Sequence, residues 1–134
     1  MIGVGVDIVK ISRIEAAVQR FADRFLDRVF TQQEQHVCSQ ANCSARLAAR
    51  FAAKEAVMKA LRTGWAHGVR WIDVEVIGSG GPPRVKLHGQ ARVLAEQLRV
   101  RHIHISLAHE KECAVAFAVA TTEVEPWGDS LCES

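Results

Sequence analysis

Two stretches of the chain gather ionisable residues of the kinds that phosphate or metal chemistry uses. In a helix spanning residues 45–62, the 3.6-residue period puts Glu55, Lys59 and Arg62 on one face. A carboxylate beside two cations suits a metal-assisted phosphate site. The same spacing also makes an ordinary surface ion pair between Glu55 and Lys59, worth about 0.3–0.5 kcal/mol, and spacing alone leaves both readings open. Asp7 interrupts an otherwise apolar run at residues 2–9, and a buried carboxylate without a partner is costly. Asp7 therefore either caps the turn that follows or faces Glu55 with a cation between the two. Mg²⁺ takes one or two carboxylates together with substrate phosphates, so one strand carboxylate and one helix carboxylate would suit it.

Further cations lie on the segment after that run. Arg13, Arg20, Arg24 and Arg28 fall within about one quadrant of a single helix. This is either a solvated face or a single-sign stripe that attracts an acidic partner or a phosphate backbone. Arg46 and Arg50 project elsewhere on the long helix. His102 and His104 share one face of a strand, and His109 beside Lys111 reads as an anion contact or as an exposed turn residue. A zinc site would need further ligands that the sequence does not place. Gly3 and Gly5 precede strand residues rather than a helix, so they form no dinucleotide fingerprint, and no P-loop or nucleophile elbow occurs.

The elements that must position these residues follow from periodicity. Residues 2–9 read as a strand that is apolar on both faces, hence buried. Ser12-x-x-Glu15 reads as a capping box that opens a helix with Ile14, Val18, Phe21 and Phe25 on one side, and Thr31-x-x-Glu34 repeats the signature. Next comes the long alanine-rich helix, with Leu47, Phe51, Met58 and Leu61 as its core stripe and Thr63-Gly64 as its stop. Residues 71–77 alternate as a half-buried strand, 78–83 turn, and 84–88 alternate again. Residues 89–98 are helical, and strands at 102–108 and 112–121 flank a turn at 109–111. This order predicts an α+β fold with an antiparallel sheet and one long helix.

At 134 residues the chain has room for one domain, placed at residues 1–123 with a loose tail at 124–134. A net charge of +2 is too small for whole-surface attraction to nucleic acid or membrane. Cys38, Cys43, Cys113 and Cys132 make no C-x-x-C pair, and Asp7 and Lys10 break the first apolar run, so a reduced, cytoplasmic setting is expected. Residues alone lead to a small α+β domain with an anion site.

Four motifs in register carry a resemblance that reaches further. Gly3-Val-Gly-Val-Asp7-Ile-Val with Arg13-Ile-Glu15 resembles the opening of the holo-acyl-carrier-protein synthases, the small class of 4′-phosphopantetheinyl transferases. Ala49-Arg-Phe-Ala-Ala-Lys-Glu55-Ala-Val-Met-Lys59-Ala resembles that family's most specific motif. Gly81-Pro-Pro83 matches its middle hairpin turn, and His104-Ile-Ser106-Leu-Ala-His109-Glu with Ala114-Val-Ala-Phe-Ala its closing hairpin. The resemblance covers residues 2 to about 121.

It implies an antiparallel sheet wrapped around a long helix, usually as a homotrimer with coenzyme A in a cleft between subunits. The implied activity moves phosphopantetheine from coenzyme A to a serine of acyl carrier protein, for fatty-acid or polyketide synthesis. Asp7 and Glu55 would hold Mg²⁺, with Lys59 on the diphosphate. Arg50, Arg62, Gly64, Pro83, Ser106 and His109 would contact coenzyme A, and Arg13, Arg20, Arg24 and Arg28 would dock the acidic carrier. One departure stands out: the family usually carries glycine where this chain has Arg62. The rival readings are a non-catalytic module that binds nucleic acid, or one that binds the carrier, through the arginine stripe.

Overall fold

A computed structural model describes residues 3–39, 43–62, 65, 68–78 and 81–122. Strand β1 (Gly3–Lys10) is followed by helices α1 (Ile11–Phe21), α2 (Asp23–Val29), α3 (Gln32–Val37) and α4 (Cys43–Ala60). A single 3₁₀ turn (Trp71–Asp73) leads into β2 (Val74–Ile77) and β3 (Arg84–Leu87), then α5 (Gly89–Gln97), β4 (His102–His109) and β5 (Cys113–Thr121). The fold is α+β. The strands form two antiparallel sheets rather than one, β1-β5-β4 and β2-β3.

Small residues set the distance between α4 and the larger sheet. The central strand β5 turns Ala114, Ala116, Ala118 and Ala120 inward, all fully buried. On β1 the inward positions are Gly3, Gly5, Asp7 and Val9. A Cβ on Gly3 would stand 2.1 Å from the Ala60 carbonyl oxygen, and one on Gly5 1.8 Å from that of Ala56. Only glycine permits this approach of strand to helix backbone. Leu47, Phe51, Met58 and Leu61 are buried as expected, but so is nearly every other side of α4.

Several expectations are corrected. β1 is not buried on both faces: its outward side chains Val4, Val6 and Ile8 are exposed, Ile8 at 67%. The Ser12–Glu15 capping box is not used; α1 starts at Ile11 after Lys10, without a side-chain cap. Its first N–H instead donates to the Glu112 carbonyl at 2.9 Å, so the β4–β5 turn satisfies it. The expected single helix through Arg28 breaks at Ala22, which has φ 47° and separates α1 from α2. Phe21 is consequently exposed. The strand expected from residue 71 begins only at Val74, and it is buried rather than half-buried because Glu75 serves an internal polar network. The Thr31–Glu34 box forms as read, with both reciprocal bonds present. The proposed tail at 124–134 lies outside the described residues.

Candidate active site

β1 and α4 together position the acidic centre. Strand alternation points Asp7 toward α4, and the Gly5–Ala56 contact brings it beside the helix turn that carries Glu55 and Lys59. The Lys59 Nζ donates to Asp7 Oδ1 at 3.2 Å and to the Val6 carbonyl at 3.0 Å. Lys59 thus reaches across to the strand instead of closing an i,i+4 pair with Glu55. Glu55 is half-buried, and its Oε2 accepts from the Trp65 indole Nε1 at 3.1 Å. The Asp7 carboxylate is thus paired with the chain's own ammonium. Among the described residues no three His, Cys, Asp or Glu side chains gather into a metal cage. A metal here would take two carboxylates from the protein and its remaining oxygens from water and phosphate, which suits Mg²⁺.

Arg50 lies buried on α4, its Nη2 donating to the Gly78 carbonyl at 3.2 Å, and a Cβ on Gly78 would stand 3.5 Å from the Pro83 Cα. Its Nε is buried and has no partner among the described residues. An unsatisfied donor of this kind is costly unless something binds it. Arg50 and Pro83 therefore belong to one corner of the molecule. His109 closes β4 and lines an open cleft of about 680 Å³ with Ile11, Glu15, Ser44, Glu110 and Lys111. The structure does not bring Ser106 to Asp7. Ser106 pairs with Phe117 on the outward face, whereas Asp7 points inward. Arg62 is exposed beyond the end of α4 with φ 70°, and Gly64 lies outside the described residues. Arg13 and Arg20 sit on α1, Arg24 and Arg28 on α2, all exposed.

Sequence reasoning missed a second ionic centre beneath the first. Lys54 is fully buried and donates to Glu34 Oε1 at 2.8 Å and to the carbonyls of Trp71 and Val74. Burial pushes its ammonium below the usual lysine value, and Glu34 only partly opposes this. Glu34 Oε2 accepts from the Val76 N–H. Glu75 accepts from Thr31 Oγ1 at 2.6 Å and pairs with His88 Nε2 at 3.0 Å. Burial alone would raise the Glu75 carboxyl, but these two hydrogen bonds, with the charges of His88 and Lys54, together hold it low. Burial raises the Cys38 thiol, which sits within the core. The Thr31-x-x-Glu34 box was the one sequence signal for this network.

Comparisons with known proteins bear on the same residues. A family model described as the 4′-phosphopantetheinyl transferase superfamily matches residues 3–118. A holo-[acyl-carrier-protein] synthase of Koribacter versatilis is 47% identical over 121 residues, covering 89% of this chain and 97% of that protein. The crystal structure of the Helicobacter pylori holo-[acyl-carrier-protein] synthase in complex with coenzyme A superposes with a TM-score of 0.78 at 30% identity, over 88% of this chain and 99% of that one. The Neisseria meningitidis synthase gives 0.82 at 30% identity, over 90% and 99%.

Proposed function

The chain belongs to the 4′-phosphopantetheinyl transferase superfamily, and from that premise we propose that Asp7, Glu55 and Lys59 form the centre that transfers phosphopantetheine from coenzyme A to acyl carrier protein. The carrier serine Oγ forms a bond to the β-phosphorus of coenzyme A. The bond from that phosphorus to the bridging oxygen breaks, and 3′,5′-ADP leaves. The serine proton is lost in the same step, to water or to a carboxylate oxygen of the site. Asp7 and Glu55 are the two hard oxygen ligands for Mg²⁺, which supplies charge neutralisation on the diphosphate when bound. Lys59 adds a point charge on the same diphosphate. The unpartnered Arg50 Nε supports a phosphate contact in the corner next to Pro83. His109, Ser106, Arg62 and Gly64 complete the coenzyme A contacts in this reading.

Ser106 faces away from Asp7 within one chain, so those contacts need a neighbouring copy. The exposed apolar residues Val4, Val6, Ile8 and Phe117 on the outward sheet face support a homotrimer that covers them. Arg13, Arg20, Arg24 and Arg28, all exposed, are the docking surface for the acidic carrier. Among the described residues no helix is long and apolar enough to cross a membrane. The carrier belongs to fatty-acid or polyketide synthesis, and the setting is cytoplasmic, in keeping with the free thiols Cys38, Cys43 and Cys113.

The observation that carries the assignment is the Lys59–Asp7 pair, which joins the opening strand motif to the helix turn that also carries Glu55. Intact mass of an apo-acyl carrier protein tests it, after incubation with this protein, coenzyme A and Mg²⁺. A gain of one phosphopantetheine is expected, abolished by EDTA and slowed roughly a thousandfold by Asp7→Asn. Full turnover by folded Asp7→Asn at saturating Mg²⁺ would overturn the metal assignment. No gain on any carrier would favour a binding module.

A further inference from the structure

We infer that Trp65 is a positioning residue for Glu55: its indole N–H fixes one carboxylate oxygen so that the other is presented to the cation. The inference rests on the reading of Glu55 as a metal ligand. The Trp65 Nε1 donates to Glu55 Oε2 at 3.1 Å, and an indole can only donate, so the acceptor oxygen is fixed. Trp65 is itself held. Its ring stacks on Trp71 at 4.1 Å and 30°, and Trp71 stacks on Phe51 at 4.8 Å and 21°. Phe51 lies on α4 one turn before Glu55. The Trp71 carbonyl accepts from the buried Lys54 at 3.2 Å, which pins the middle ring through its backbone. The contacts therefore close a ring: from Phe51 through Trp71 and Trp65 back to Glu55 on the same helix. A glutamate side chain otherwise samples several rotamers about three torsions. Partners of this kind orient ligating carboxylates, and their loss usually weakens metal binding about 10–100-fold.

Trp65→Phe keeps a six-membered ring for the stack and removes the donor together with the five-membered ring that bears it. Binding of Mn²⁺ is measured by the electron paramagnetic resonance signal of the free ion, with the protein saturated in coenzyme A. Trp65→Phe is expected to raise the Mn²⁺ Kd about 10–100-fold without shifting the thermal midpoint. The Mg²⁺ needed for half-maximal transfer rises in step, while kcat at saturating Mg²⁺ changes far less. Glu55→Gln is the reference. If it weakens Mn²⁺ binding while Trp65→Phe binds as wild type, the positioning role is wrong and the metal reading stands. If both bind as wild type, the metal reading fails and takes the inference with it. A measurement that leaves Trp65 in place guards against misfolding of the Trp65 variant. The Trp65 indole proton resonance should move in Glu55→Gln, and an unmoved resonance would rule out the bond.

Discussion

Helix α4 carries two lysines five residues apart, and each reaches a carboxylate on another element. Lys54 and Glu34 meet at 2.8 Å with both side chains 0% exposed. Lys59 and Asp7 meet at 3.2 Å with side chains 52% and 19% exposed. An ammonium has three protons to donate. Lys54 spends all three, on Glu34 and the carbonyls of Trp71 and Val74. Lys59 uses two, on Asp7 and Val6, and keeps one uncommitted among the described residues. The buried pair can therefore bind nothing further and serves the fold, tying α3 and β2 to α4. The exposed pair can exchange partners, as a site that admits a diphosphate and a metal must.

The largest expected effect comes from cutting the buried pair. Lys54→Met leaves the Glu34 carboxylate in the core without its cation, which should cost about 3–5 kcal/mol by urea denaturation. Adding Glu34→Gln should recover part of that loss, since the amide carries no charge and its oxygen still accepts from a backbone N–H. Failure of either would mean that the pair is not closed to water. The exposed pair should behave oppositely. Asp7→Asn is expected to lower the transfer rate roughly a thousandfold, the worth of several kcal/mol of lost charge neutralisation. Its stability should move by less than about 1 kcal/mol, as for other exposed pairs. A large stability loss in Asp7→Asn would erase the distinction between the two pairs.

The two pairs were unequally legible in the sequence. Asp7, Glu55 and Lys59 stand out by residue type, yet helical spacing could not choose between a surface pair and a site. The choice came from motif resemblance, and the structure then placed Lys59 on Asp7. Glu34 was read as a capping residue, which it is. Its second role was invisible, because Lys54 on an isolated helix looks solvated. Only the packing of the sheet and of α3 around α4 buries it. The break at Ala22 had no Gly or Pro to announce it, so the arginines were read as one stripe. The paired glycines of β1 were dismissed as a nucleotide motif, and their reason, contact with α4, belongs to tertiary structure. The outward face of β1 looked like core because its apolar residues fit a surface that we propose another copy covers.

Glu75 extends the comparison to pH. Its carboxyl is held below the ordinary 4.5 in the folded chain, despite burial, by Thr31, His88 and the nearby charges. As the pH falls through 4.5 the unfolded chain gains this proton first, so the stability that Glu75 contributes declines there and is gone below the folded value. Denaturation midpoints between neutral pH and pH 4 should show the fall, with a flatter profile in Glu75→Gln. An equally steep profile in that variant would place the acid sensitivity elsewhere.

Arg62 follows just beyond the end of α4, and its cost lies in the backbone rather than in burial. Its φ of 70° is in the left-handed region, where a residue with a Cβ is strained by roughly 1–2 kcal/mol. Glycine would relieve that strain and give back part of the gain through the entropy of the unfolded chain, about 0.5–1 kcal/mol. Arg62→Gly is therefore expected to stabilise the protein by up to about 1 kcal/mol in urea. If the guanidinium meets a coenzyme A phosphate, as we propose, the same change should raise the KM for coenzyme A severalfold and leave kcat nearly unchanged. A more stable variant with unaltered KM would make Arg62 a bystander at the rim. A less stable one would mean that the guanidinium makes contacts worth more than the strain.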